Sequence, residues 1–195
     1  MTLKTGVAAQ WHDLVTDAQS ETGISLALPV ESYLVNTLIH YTQRTDITAK
    51  TFAIEYLQLQ QEQGKVRSDK LRELADQCLL YAGLFPQYAK RRNLNISYYV
   101  DLGRSAYFDL SHSDNSWAII FAQLCENFVS LMDTLLAIHH IDNPFSLDYI
   151  LAPEQALDTW QRTQSSHAFK LFKQQTQSEN IVPFSARKKI KNTDY

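Results

Sequence analysis

The chain of 195 residues carries a net charge of −3 and is 45% hydrophobic, which is ordinary for a globular protein with a sizeable core. It begins without a basic stretch followed by an apolar run, and no run of about 18 apolar residues occurs, so the sequence predicts neither a secretory signal nor a membrane span. Only five glycines and five prolines interrupt long periodic stretches. This pattern predicts an all-α fold of five to seven helices.

The N-terminal part is predicted to lead into a single helical domain. Residues 1–28 are predicted to be a weakly structured lead-in, and the domain is predicted to cover residues 29–178. Its first helix is predicted over Pro29–Gln43, because proline suits the first helical position. A second helix is predicted at 47–63, and the short connection favours an antiparallel hairpin of the two.

A third helix is predicted at 68–83, with Ser68 as its cap. The apolar run at 79–86 loses the alternation of faces, which predicts burial in the core or in a subunit interface. Net charge alternates along the chain, because residues 64–104 carry eight basic and four acidic side chains between two acidic flanks. Such blocks favour attraction within the fold or across a dimer.

A fourth helix is predicted at 97–110. Gly103 and Ala106 would form a small-residue face on it, where another helix can approach closely. Leu94, Ile96 and Tyr98 alternate in the preceding sequence, so a short strand at 94–100 is the alternative for the beginning of this region.

The helix predicted at 115–139 has the broadest apolar stripe of the chain, and the other helices are expected to pack around it in an irregular, bundle-like arrangement. At about 1.5 Å per residue it would be roughly 36 Å long. A last helical region is predicted from Pro153, with an interruption near Ser165. Residues 179–195 are predicted to form a flexible basic tail.

The densest group of polar and aromatic residues gives the candidate binding site. Its members are the candidates for contact with a ligand or a partner: Arg91, Arg92, Tyr98, Tyr99 and Arg104. Tyrosine and arginine are common in sites for anionic ligands and in protein interfaces. The alternative is a solvated basic turn beside core tyrosines, with Asp101 paired to Arg104 one helical turn away.

No catalytic, metal or cofactor motif is recognisable, so the sequence predicts no metal and no cofactor and favours a protein that is not an enzyme. The glycine spacing allows neither a P-loop nor a dinucleotide-binding fingerprint. Asp109-x-x-His112 is a single partial match to the paired ligands of di-metal bundles. The pair His139-His140 is predicted to lie at the end of a helix. The two histidines cannot easily bind one metal ion, because adjacent helical residues point about 100° apart.

The two cysteines, Cys78 and Cys125, fall in apolar stripes of different predicted helices. No C-x-x-C motif and no Cys/His cluster accompanies them. They are therefore predicted to be free thiols, which favours a reducing cytoplasm as the location.

Three functions remain open on this basis. The first is a non-enzymatic cytoplasmic interaction or accessory protein that forms a homodimer or binds a protein partner. The second is a helical binding protein or an enzyme that holds a small apolar or anionic ligand between its helices. The third is weak nucleic-acid binding through the basic residues 187–191, which the acidic body of the chain disfavours.

Overall fold

The computed structural model describes residues 6–42, 52–114, 116–142 and 151–179, and it confirms the all-α prediction. The described part of the chain contains ten helices, in this order: α1 (Val7–Thr22), α2 (Leu28–Thr42), α3 (Phe52–Leu59), α4 (Gly64–Gly83), α5 (Gln87–Arg91), α6 (Ile96–Ser111), α7 (Ala118–Glu126), α8 (Phe128–Asp142), α9 (Pro153–Thr163) and α10 (Ser166–Glu179). The predicted five to seven helices are too few, because α1 was missed and the helix predicted at 115–139 is divided into α7 and α8.

Helix α1 lies inside the stretch 1–28, so the prediction of a weakly structured lead-in is wrong over Val7–Thr22. Val15 and Ala18 are completely buried, and the helix packs against α2 and α8. It ends at Gly23, whose φ of 70° is a left-handed conformation that glycine adopts easily. The helix is stabilised by this packing more than by its weak local periodicity.

Helix α2 begins and ends within one residue of its predicted bounds, whereas α3, in the described part of the predicted helix at 47–63, ends at Leu59, four residues before the predicted end. Residues 43–51 lie outside the described part of the chain. Helix α3 packs on α4 and α6, and its described residues form no extensive contact with α2. The predicted antiparallel hairpin of the two helices is therefore wrong.

The predicted helix at 115–139 is divided at Asn127 into α7 and α8, which are bent 68° from each other. The Nδ2 atom of Asn127 donates to the Gln123 carbonyl at 2.8 Å, and its backbone N–H donates to the same oxygen at 2.9 Å. Asparagine side chains compete with the helix backbone in this way. The apolar spacing continues on both sides of the bend, so the sequence pattern did not reveal it.

No single helix in the described part of the chain is long and apolar enough to cross a membrane. Helices α7 and α8 reach the necessary length and apolar composition only when they are counted together, across the bend between them.

The core lies where α4 crosses α6 and α8. The predicted close contact at Gly103 is confirmed, since a Cβ atom built there would lie 2.6 Å from the Phe128 ring. Gly83 packs just as closely on α8, since a Cβ atom built there would lie 2.6 Å from the Cβ of Leu135. The first five residues of the apolar run, 79–83, are all buried in this core. Residues 94–100 form no strand, because α6 begins at Ile96.

Helices α9 and α10 are separated near Ser165, as predicted, where Gln164 has a φ of 61°. The buried carboxylate of Asp133, on α8, anchors this junction. It accepts hydrogen bonds from the hydroxyls of Ser165 and Ser166 and from the backbone N–H of His167, the last two at 3.2 Å. Asp133 thus caps the N-terminus of α10 from another helix. The predicted tail lies outside the described residues from position 180 onward.

Candidate functional site

A cavity of about 710 Å³ opens between α2, α4 and α7. We call it the Asp76 cleft, after the carboxylate in its lining. Its wall combines aromatic rings with charged and polar side chains. The lining includes Ser32, Tyr33, Asn36, His40, Arg72, Glu73, Asp76, Trp117 and Phe121. A volume of this size lies within the range of about 300–1,000 Å³ that small-molecule sites occupy.

Asp76 is a buried carboxylate in the second half of α4, with 7% of its surface exposed. Its Oδ1 atom accepts a hydrogen bond of 2.8 Å from the hydroxyl of Tyr33 on α2. The same oxygen accepts one of 2.7 Å from the hydroxyl of Tyr107 on α6. Three helices therefore hold the carboxylate in one orientation.

Burial is the main influence on the ionisation of this group. It raises the pKa of Asp76 to about 6, against the lowering effects of the Tyr107 and Tyr33 hydrogen bonds and of Arg72. Burial and the neighbouring carboxylate also raise the pKa of Tyr33 and of Tyr107, so both hydroxyls stay protonated and donate. At neutral pH the carboxylate is therefore mostly ionised beside an open cavity.

Aromatic rings enclose the protein side of the carboxylate. Tyr33 meets Tyr107 and Phe121 edge to face, at centroid distances of 6.4 and 6.3 Å. Tyr107 and Phe121 are stacked at 6.1 Å. Rings in these geometries stabilise one another and form a fixed apolar wall. Trp117, which is 61% exposed, extends the aromatic lining to the mouth of the cleft.

A second cavity of about 790 Å³ adjoins the cleft at the beginning of α4. The two cavities share Asp69, Arg72, Trp117 and Phe121. Arg72 lies one helical turn before Asp76, and within the described ranges its guanidinium forms neither a hydrogen bond nor an ion pair. An arginine so placed is available to bind a carboxylate or a phosphate.

The tyrosines of the sequence-predicted site lie in the core. Tyr99 is completely buried between Phe52 and Tyr81, at centroid distances of 5.7 and 5.5 Å. Burial raises the pKa of Tyr99 to about 12. The hydroxyl of Tyr98 accepts a hydrogen bond of 3.0 Å from the backbone N–H of Ala53, which fastens α3 to α6.

The three arginines of the predicted site do not come together. Arg91 lies over the ring of Tyr88, at 5.5 Å from its centroid. Arg92 lies close enough to Tyr99 to lower its pKa against the effect of burial. Arg104 is exposed and lines a separate, shallow depression of about 380 Å³ with Asp101. No ion pair joins Arg104 to Asp101 in the described part of the chain, and a binding role for the five residues stays a prediction.

The partial metal motif is occupied by contacts within the protein. The Oδ2 atom of Asp109 accepts hydrogen bonds from Tyr56 at 3.1 Å and from Gln60 at 2.6 Å, and forms an ion pair of 3.3 Å with Arg67. The ring of His112 lies against that of Phe108 at 4.3 Å. Among the residues that the structure describes, no three potential metal ligands come together.

Asp76 was missed because it belongs to no motif and lies next to Gln77, so its position in the sequence gives no sign of burial. The structure nevertheless buries every residue of α4 from Leu74 to Gly83. An acidic residue in a segment of that kind is expected to have partners and is a candidate for function.

The fold and the cleft together define an all-α protein with one buried carboxylate at an aromatic cavity. The chain matches no protein-family model, and comparison with curated proteins and with solved structures finds no significant match in either.

Proposed function

We propose that the protein binds a small molecule in the Asp76 cleft. The supporting observation is the ionisable carboxylate that two tyrosine hydroxyls hold at the wall of an open, aromatic cavity. A purely structural carboxylate needs partners but no cavity beside it. Apolar walls with a few converging polar groups are typical of small-molecule sites. Of the functions considered from the sequence, a ligand held between helices agrees best with this geometry.

The chemistry of the lining restricts the ligand. Tyr33, Trp117 and Phe121 offer an apolar or aromatic surface, and Asp76 offers a hydrogen-bond acceptor in a partly dry environment. A ligand that covers this carboxylate has to donate to it, because a buried charge without a partner is costly. We therefore expect a largely apolar molecule with a hydroxyl or amine group.

Blocking the cleft tests the proposal. Asn36 is exposed on α2 and lines the cleft, so Asn36→Trp should fill it without disturbing the core. Gln10 is exposed on α1 and does not line the cleft, and Gln10→Trp is the matched control. Ligand-observed NMR with a set of aromatic amines and alcohols should detect binding to the wild type and to the control. The blocked variant should lose it at least tenfold.

Two results would count against the proposal. One is equal binding by the Asn36→Trp variant and the wild type, which would place the ligands elsewhere. The other is no binding by the wild type at millimolar fragment concentration. Circular dichroism spectra of all three proteins have to agree, so that lost binding is not lost folding.

Self-association is a second candidate, with one observation in its favour. Ile54 and Leu57 lie one turn apart on α3, and both are exposed by more than half. A homodimer that covers this face should become monomeric in Leu57→Lys but not in the control Gln10→Lys, as measured by light scattering. The cytoplasmic location and the weak nucleic-acid binding inferred from the sequence stay predictions.

A further inference from the structure

We infer that the ligand of the Asp76 cleft is a zwitterion with an aromatic or bulky apolar side group, such as an aromatic α-amino acid. Its ammonium group would bind Asp76 and its carboxylate would bind Arg72. This inference rests on the proposed function, since it names the class of ligand that the same cleft would take.

The hydrogen bonds of Asp76 leave a place for an ammonium group. A carboxylate accepts about four hydrogen bonds, two at each oxygen. The hydroxyls of Tyr33 and Tyr107 both donate to Oδ1. No group of the described chain donates to Oδ2, and the residue lines the cavity. An ammonium group carries three donors and a positive charge, so it satisfies this oxygen better than a hydroxyl does.

Arg72 supplies the second charge of the pair. It is four residues before Asp76 on α4, so the two side chains project from the same face, with Cβ atoms about 6 Å apart. The two residues form no ion pair with each other, and both line the cleft. In the inferred complex, a ligand with one carbon atom between its ammonium and carboxylate groups would bridge these two side chains. Guanidinium groups bind carboxylates through two parallel hydrogen bonds.

Two other charged residues of the cleft contact neighbours within the protein. Lys70 forms an ion pair of 2.9 Å with Glu62. Glu73 accepts a hydrogen bond of 3.3 Å from Gln77. Asp69 also lines the cleft and is exposed, whereas Asp76 is the buried carboxylate one helical turn from Arg72.

The aromatic wall explains the side group. Phe121 is 5% exposed and Tyr33 is partly buried, and their rings meet edge to face at 6.3 Å beside the carboxylate. Trp117 lies at the mouth of the cleft. An aromatic side group would stack in this space, and the ammonium group would gain from the ring faces nearby.

Three matched compounds test the inference by calorimetry. Tryptophan carries both charges, tryptamine lacks the carboxylate, and indole-3-propionate lacks the ammonium group. Phenylalanine, phenethylamine and 3-phenylpropionate repeat the comparison with a smaller ring. In at least one series the zwitterion should bind the wild type ten times more tightly than either of its relatives. The variant Arg72→Gln should bind the zwitterion no better than the amine.

Arg72 is exposed, so Arg72→Gln is expected to fold. The test therefore does not depend on a substitution of the buried Asp76, which could prevent folding. Equal affinity for zwitterion and amine, or unchanged zwitterion binding in Arg72→Gln, would overturn the inference. If the zwitterions fail to bind while aromatic amines or alcohols bind and Asn36→Trp abolishes their binding, only the inference falls. If no compound depends on Asn36, the proposed function falls as well.

Discussion

The ring of Phe128 lies where a side chain at Gly103 would have to go. A Cβ atom built on Gly103 would be 2.6 Å from two carbon atoms of the ring and 3.0 Å from the Cβ of Cys78. Real side chains essentially never approach so closely, and α4, α6 and α8 all meet at this point. We conclude that the crossing of the three helices depends on glycine at position 103.

Gly103→Ala should therefore destabilise the protein. Overpacking in a close-packed core costs about 1–3 kcal/mol. The better helix propensity of alanine returns roughly 1 kcal/mol of this. We expect a net loss of up to about 2 kcal/mol in the free energy of unfolding, measured by urea denaturation followed by circular dichroism.

Gly6→Ala is the matched control for this substitution. Nothing lies within 4 Å of a Cβ atom at Gly6, and its φ of −61° suits alanine. The stability of that variant should stay within about 0.5 kcal/mol of the wild type. A Gly103→Ala protein more stable than the wild type by about 1 kcal/mol would mean that Phe128 moves aside without cost.

Two glycines show how much of the packing could be read from the sequence. The spacing of Gly103 and Ala106 on a predicted helix was sufficient to predict a close contact. Gly83 was interpreted only as a helix end, although it also lets α4 approach Leu135 closely. A glycine at the end of a helix can serve to end the helix or to allow close packing against another helix. Periodicity alone does not distinguish these two roles.

The bend at Asn127 and the helix α1 mark the limits of the sequence pattern. The Asn127 amide bonds to the Gln123 carbonyl, and an asparagine in a helix has no apolar signature that predicts this. Helix α1 has a short apolar stripe, and its burial against α8 depends on residues more than a hundred positions away. Long-range packing of this kind is invisible to a local window.

Asp133 should contribute strongly to stability through its cap on α10. Asp133→Ala removes the acceptor of the Ser165 and Ser166 hydroxyls and of the His167 N–H. Leaving buried donors without a partner costs about 1–3 kcal/mol. We expect a loss in that range, with the greatest increase in amide hydrogen exchange in the first turn of α10.

Ser166→Ala is the milder companion of that variant. Ser166 is exposed and gives Asp133 one hydrogen bond of 3.2 Å, so its removal should cost less than about 1 kcal/mol. If Asp133→Ala left the amide exchange rates of α10 unchanged, the cap by Asp133 would not contribute to the stability of α10.

The ionisation of Asp76 should be visible in the pH dependence of stability. Its pKa rises from 3.8 to about 6 on folding. Because the folded state then binds the proton more tightly, this group costs stability as the pH rises from about 4 to 6.5. The stability that the wild type loses through Asp76 over this pH interval amounts to about 3 kcal/mol in the free energy of unfolding. Asp76→Asn lacks the titration, so its stability relative to the wild type should increase across that interval.

The measurement is urea denaturation of both proteins at several pH values. Arg72, Glu73 and His40 face the same cleft, and they remain in both proteins, so the comparison isolates position 76. Tyr33 and Tyr107 stay neutral in this range because their pKa values are raised. Parallel stability curves for the two proteins would show that Asp76 does not titrate in this interval.

The sequence indicated a binding site among the aromatic and basic residues between Arg91 and Arg104. In the structure these residues do not line one cavity. Tyr99 is a core residue and Tyr98 is partly buried against the core, and periodicity alone did not show which tyrosines face water. The cleft is built instead from Tyr33, Asp76 and Phe121, which are far apart in the sequence. No motif joins them, since only the packing of α2, α4 and α7 brings them together.

Two arginine substitutions decide between the candidate sites. Arg72 lines the Asp76 cleft, whereas Arg104 lies in the shallow depression on α6. Both are exposed, so Arg72→Gln and Arg104→Ala should each leave stability within about 0.5 kcal/mol of the wild type. For any ligand that Asn36→Trp excludes from the cleft, Arg104→Ala should change the affinity less than twofold. For an anionic or zwitterionic ligand, Arg72→Gln should weaken binding at least tenfold. The reverse order, measured by calorimetry, would return the binding site to the neighbourhood of Arg104 that the sequence indicated, and would leave Asp76 with a structural role.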